Sequence, residues 1–166
     1  MAWSGSAIFR SWATTIMFKQ ATPTTGTGEI VTNDTVKAAL FNNSITPDKD
    51  ATTATSGYNS AASQWLVANE VTDATNWVAG GRALGTKTLT QPSSGVNMFD
   101  AADLAGGGTL TLSATHGCLC YDDTIAAGGT VADQGICYNY FGGAQQVTSG
   151  TFTIVWNANG VLRLTF

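Results

Sequence analysis

From Val36 onward, apolar and polar residues alternate in short runs, and clusters of Gly or Asn cut the runs apart. The runs are VKAALF (36–41), WLVANEVT (65–72), LGTKTLT (84–90), VNMF (96–99), TLTLS (109–113), HGCLCY (116–121) and GICYNYF (135–141), with AGG, AGGG and FGG among the separators. A period of two places successive side chains on opposite faces of a strand. Many short strands divided by turn signals demand an antiparallel sandwich or barrel instead of a parallel α/β sheet, so the predicted class is all-β. The last sixteen residues, TFTIVWNANGVLRLTF, predict a hairpin: Phe152, Ile154 and Trp156 share one face, Leu162, Leu164 and Phe166 share a face of the next strand, and Asn157 to Gly160 close the turn.

The first fifth of the chain is different in texture. Ile8, Trp12 and Ile16 are spaced by four, with Phe9 and Met17 beside them, which is the helical period, but Thr14, Thr15 and several Ser weaken it. Residues 1–33 are therefore expected to form a short helix or extended arm followed by a Pro/Gly/Thr linker, and residues 34–166 a single β-sandwich domain. A chain of 166 residues is the right length for one such core. Trp65 and Trp156 fall on apolar strand faces and are expected in the core. Trp3, Ile8, Phe9 and Trp12 belong to a segment with no evident partner of its own, which makes them candidates for contact with a neighbouring subunit.

Charge narrows the function. Charged residues make up 11% of the chain, against roughly 25% in an ordinary soluble domain, and Thr, Ser, Asn and Gly take their place. Such a surface suits a protein covered by its neighbours in an assembly, or a Thr-rich binding module. With a net charge of −4 and only seven Lys and Arg, scattered singly, no basic stripe exists to engage phosphates, and direct nucleic-acid binding is not expected. Residues 1–20 lack the charged start of a signal peptide, and no run is long enough to span a bilayer as a helix, so assembly in the cytoplasm without a membrane partner is the expectation.

The residues with chemical potential read as structural. His116 shares a presumed strand face with Cys118 and Cys120, yet same-face neighbours lie about 7 Å apart along a strand, too far for direct proton transfer. The CLC spacing matches neither a zinc nor a redox motif. Cys118, Cys120 and Cys137 are expected as buried thiols, with a disulfide from Cys137 to one of the others as the alternative. Asp48 with Asp50, Asp122 with Asp123, and Asp100 with Asp103 follow strands among turn formers, where Asp bonds the local backbone. None supplies the ligand series of a calcium loop. The Gly pairs match neither a P-loop nor a dinucleotide fingerprint. Catalytic residues, cofactor and metal are all expected to be absent.

Several motifs in combination carry a resemblance. DTVKAALF (34–41) is followed by Ser-x-Thr-Pro-Asp (44–48), then by a loosely spaced Val-x-Trp-x-Ala-Gly-Gly-x-x-Leu segment (71–84), YDDT (121–124) and the terminal SGTFTIVWNANGVLRLTF (149–166). Over residues 34–166 the chain resembles a family of small structural proteins of tailed bacteriophages. It departs from that family in the insertion ATTATSGYNSAASQ (51–64) and in the N-terminal segment, so contacts made there are not carried over. The resemblance implies a non-enzymatic virion component, foremost a capsid decoration protein on the outside of the head that stabilises the shell. Its partners would be the major capsid protein and copies of itself, often as trimers. A tail structural protein is the alternative within that class, and a carbohydrate-binding β-sandwich the alternative outside it.

Overall fold

A computed structural model describes residues 3–13, 34–124 and 132–165. The fold is all-β with antiparallel sheets and no closed barrel among the described residues, as a β-sandwich requires. Ten strands are present among those residues: β1 (Ala7–Ile8), β2 (Val36–Phe41), β3 (Arg82–Ala83), β4 (Thr88–Ser93), β5 (Val96–Asp100), β6 (Leu104–Ala105), β7 (Leu110–Asp122), β8 (Gln134–Gly150), β9 (Thr153–Ile154) and β10 (Leu162–Thr165). They form a five-stranded sheet in the order β1-β8-β7-β2-β3, a three-stranded sheet β10-β5-β4 and a two-stranded sheet β6-β9. One short helix, α1 (Thr53–Ser56), lies in the connection after β2. No helix among the described residues is long and apolar enough to cross a membrane.

β2 sits between β7 and β3, and both of its faces are covered: Val36, Ala38 and Leu40 on one side, Ala39 and Phe41 on the other, all fully buried. That is why its sequence, VKAALF, is apolar at nearly every position. The TLTLS and HGCLCY runs are one continuous strand, β7, which shifts register against β8 at several points, and Ala114 there takes a φ of +43°. Bulges of this kind bend a long strand without ending it, which a search for separate runs cannot see.

WLVANEVT departs from the strand expected of it. Trp65 is fully buried, the Trp65 amide donates to Ser63 Oγ at 3.0 Å, and Gln64 bonds the Thr46 backbone in both directions at 2.6 Å. A 3-10 turn over Val67–Asn69 follows, and the chain returns to β2 only where the Val71 amide meets the Leu40 carbonyl at 2.8 Å. One deep aromatic anchor and local side-chain bonds outweigh ladder pairing here.

The terminal hairpin needs a second correction. The turn is present, with the Gly160 amide donating to the Asn157 carbonyl at 2.7 Å, but the two arms do not pair as strands. β9 joins β6, whereas β10 pairs with β5, so the chain uses the turn to pass from one sheet to another. Ile154 and Leu162 are buried, and Phe152, Trp156 and Leu164 are half-buried; Phe166 lies outside the described residues.

The N-terminal segment is the largest revision. Trp3, Phe9 and Trp12 are buried in the same cluster as Leu40, Trp65, Phe99 and Ile154, so residues 3–13 belong to the β domain's core. Ile8 is half-buried in β1, which pairs antiparallel with β8 through Ala7↔Tyr138 and Ile8↔Cys137. Among the described residues the helical spacing is realised as helix over 10–13, where the Ala13 amide donates to the Phe9 carbonyl at 3.1 Å. Ile16, Met17 and the linker to residue 33 lie outside the described residues. Two glycines explain the fit: a Cβ at Gly117 would lie 2.6 Å from the Trp3 ring, and one at Gly135 would lie 2.6 Å from the Phe9 ring. Bare backbone on β7 and β8 is what lets the two rings lie flat against the sheet.

Candidate functional site

The acidic residues act on turns and on one another. Asp48 Oδ1 accepts the Asp50 amide at 2.8 Å and Asp100 Oδ1 accepts the Ala101 amide at 2.9 Å, whereas Asp103, expected to bond its local backbone, accepts the amide of the distant Trp156 at 3.0 Å and so ties two segments together. Asp50 also pairs with Arg10 at 2.8 Å and Lys49 at 2.6 Å, tying the N-terminal turn to the TPD connection. Asp123 pairs with Lys37 at 2.8 Å. Asp122 is different, being buried beside the equally buried Asp34. Burial pushes its carboxyl up to about 7, helped by a hydrogen bond and repulsion from the Asp34 carboxyl and opposed by the Thr124 amide. Two carboxyl groups can share a hydrogen bond only if one keeps its proton.

The three cysteines are buried and unpaired by disulfides, with Cys120 directly across from Cys137 in the β7–β8 ladder. Asn139 Nδ2 lies 3.8 Å from both sulfurs. Hydrogen bonds with the Cys118 and Cys137 thiols, together with burial, push the Cys120 thiol up. A buried thiol held in its neutral form is a poor nucleophile. His116, half-buried on β7, makes no hydrogen bond to these thiols.

The Ala-Gly-Gly turn is held by a residue that the alternating pattern conceals. Glu70 receives the Tyr58 hydroxyl at 2.6 Å and the Gly80 amide at 3.0 Å, and the Tyr121 hydroxyl donates to the Gly80 carbonyl at 2.7 Å. The Tyr58 and Tyr121 rings stack at 4.7 Å with planes 10° apart. Burial raises the Glu70 carboxyl above its usual range, while the bonds from Tyr58 and the turn amides oppose that rise. The arrangement is a part-buried brace between the Ala-Gly-Gly turn and the two tyrosines.

An open site does exist elsewhere. A cavity of about 360 Å³ lies between β8 and the segment 152–157. Tyr140 and Phe141 come from β8, Phe152 and Trp156 from the other wall, and Ser6, Gln145 and Asn157 add polar groups. Its rings are fixed from behind: Tyr140 stacks on Trp3 at 6.2 Å, and Phe152 meets Trp77 edge-on at 5.7 Å. The Trp156 indole N–H donates to the Ala102 carbonyl at 3.1 Å. Trp156 is thus a half-buried wall of a cleft and not the core residue expected of it, while the N-terminal tryptophans expected at a surface are inside. The run YNYF was the one available signal for this site, because it puts aromatic residues on adjacent positions and hence on both faces of β8.

Fold and cleft together define an antiparallel β domain with a small cleft lined by aromatic residues. Comparison of the chain with protein-family models, curated proteins and solved structures finds no match.

Proposed function

We propose that the chain is a non-enzymatic structural protein of a tailed-phage particle, bound to the outside of the head as a decoration protein that stabilises the assembled shell. The motifs behind the resemblance support this reading by their roles: DTVKAALF holds an inner strand of the five-stranded sheet, the TPD and YDDT segments carry turns, and the Ala-Gly-Gly turn is clamped by Glu70.

The observation that carries the proposal is β4. All six of its residues, TLTQPS, are exposed, Leu89 to 60%, and β5 is its sole strand neighbour in the three-stranded sheet. Free edges are usually guarded by charge, but β4 contains none; Pro92 and a register shift against β5 between Thr90 and Ser93 are its interruptions. An uncharged edge accepts a strand from a neighbour by backbone pairing. A protein that binds only the assembled shell favours that state by linkage, without any chemistry. This moves the proposed shell contact from Trp3, Phe9 and Trp12, which are inside their own core, to β4; Ile8 on β1 keeps partial exposure.

The test is occupancy on purified particles. Leu89→Asp should strip the protein from heads while leaving its thermal unfolding unchanged, and full occupancy by that variant would refute the role of β4.

A further inference from the structure

The geometry points to the cleft between β8 and segment 152–157 as a binding site for an uncharged saccharide. A cavity of about 360 Å³ falls inside the range of small-ligand pockets, about 300–1,000 Å³. Every lining residue is uncharged, from Ser6 and Asn139 through Gln145 to Asn157. An anionic or cationic ligand would therefore leave its charge without a partner as it lost water. A purely apolar ligand fits no better, because it would bury the amides and hydroxyls that share the cleft with the rings.

A sugar ring satisfies both halves of the lining. Its C–H face packs on an aromatic ring, and its hydroxyls, each both donor and acceptor, match side-chain amides. Aromatic residues of both segments line the cleft, Tyr140 and Phe141 from β8 and Phe152 and Trp156 from the other side, with the Phe141 and Phe152 rings 6.2 Å apart; Tyr140, Phe152 and Trp156 are held in place by Trp3, Trp77 and the Ala102 carbonyl. Immobilised rings lose little freedom when a ligand arrives, which favours affinity. Polar capacity is also in reserve. Asn157 uses its Oδ1 on the Asn159 amide and Gln145 makes only long contacts, 3.4 and 3.5 Å from its Nε2 to backbone carbonyls. The Asn157 Nδ2, the Gln145 Oε1 and the Tyr140 hydroxyl have no hydrogen-bond partner among the described residues. This site stands independently of the virion reading, since a saccharide-binding surface could serve a head, a tail or a free protein.

The full chain is titrated with maltotriose, cellotriose, chitotriose and mannotriose, with sialyllactose as a charged comparison, by calorimetry and Trp fluorescence. At least one neutral trisaccharide should bind with a Kd of about 1 mM or tighter and quench Trp emission. The affinity should be unchanged between low and high salt. Gln145→Ala and Asn157→Asp, both at exposed positions, should together weaken it about tenfold or more without shifting the thermal unfolding, because the aspartate keeps the Oδ1 that accepts the Asn159 amide; Trp156→Ala should abolish the quenching. Failure of all four neutral sugars, preference for sialyllactose, or binding indifferent to the Gln145 and Asn157 substitutions would overturn the assignment. So would displacement of the sugar by no competitor other than an extended peptide, which would make the cleft a strand-docking groove.

Discussion

Gly81 lies so close to β2 that a Cβ at this position would fall 2.0 Å from the Ala38 carbonyl oxygen. The Ala-Gly-Gly turn is pressed against the backbone of this inner strand, and its φ of +69° at Gly81 is costly for any other residue. Gly81→Ala should therefore destabilise the domain by about 3 kcal/mol or more, from overpacking against rigid backbone plus the positive φ. Gly80 also has a positive φ, but its Cβ would meet only the Tyr121 hydroxyl at an ordinary 3.6 Å. Gly80→Ala should cost about 1–2 kcal/mol, and urea unfolding of the two variants checks the difference.

Phe9 is fully buried on the bare backbone of Gly135, between Trp65 and Tyr138. Phe9→Ala should cost about 3–5 kcal/mol, and a chain lacking residues 1–13 should lose cooperative unfolding altogether. A truncated chain that melts like the full one would show that the segment is an arm after all.

The buried Asp34–Asp122 pair predicts a pH dependence whose sign is fixed. Asp122 is held at about 7 in the folded state, above the unfolded aspartate value, so the folded chain holds a proton that the unfolded chain gives up. Its contribution is fully present below about pH 4 and is lost as pH rises through about 7. Glu70, raised by burial, acts in the same direction, whereas Asp50 and Asp73, lowered by their hydrogen bonds, act oppositely at acid pH. Asp122→Asn should flatten the decline between about pH 4 and pH 7 in denaturant unfolding, and an unchanged slope would contradict a shared proton.

Cys118, Cys120 and Cys137 are exposed by 0, 0 and 2%. In native protein none should react with a thiol reagent on the minutes scale, and all should react after unfolding. Rapid labelling of Cys120 in the folded chain would contradict the neutral, enclosed thiol described above.

How far the sequence reveals this fold depends on how local each determinant is. The period of two in VKAALF and HGCLCY, and the Asn-x-x-Gly turn at 157–160, depend on neighbouring residues and were readable. The burial of Trp3 and Phe9 was not, because it depends on Gly117 and Gly135, more than a hundred residues away, leaving flat places on β7 and β8. The same holds for β9 and β10, whose alternation predicts two strands but cannot say that their partners are β6 and β5. The cleft was hidden for a further reason. Its walls are contributed by Tyr140 and Trp156 from different segments, and an apolar strand face in sequence does not distinguish a core from a concave surface.

The proposed role on the particle is tested most directly by a cryo-EM reconstruction of intact virions that carry this chain. The account predicts density for the β-sandwich at regular positions on the outer face of the head, with β4 turned toward the shell. Density confined to the tail, or none on the particle, would contradict it.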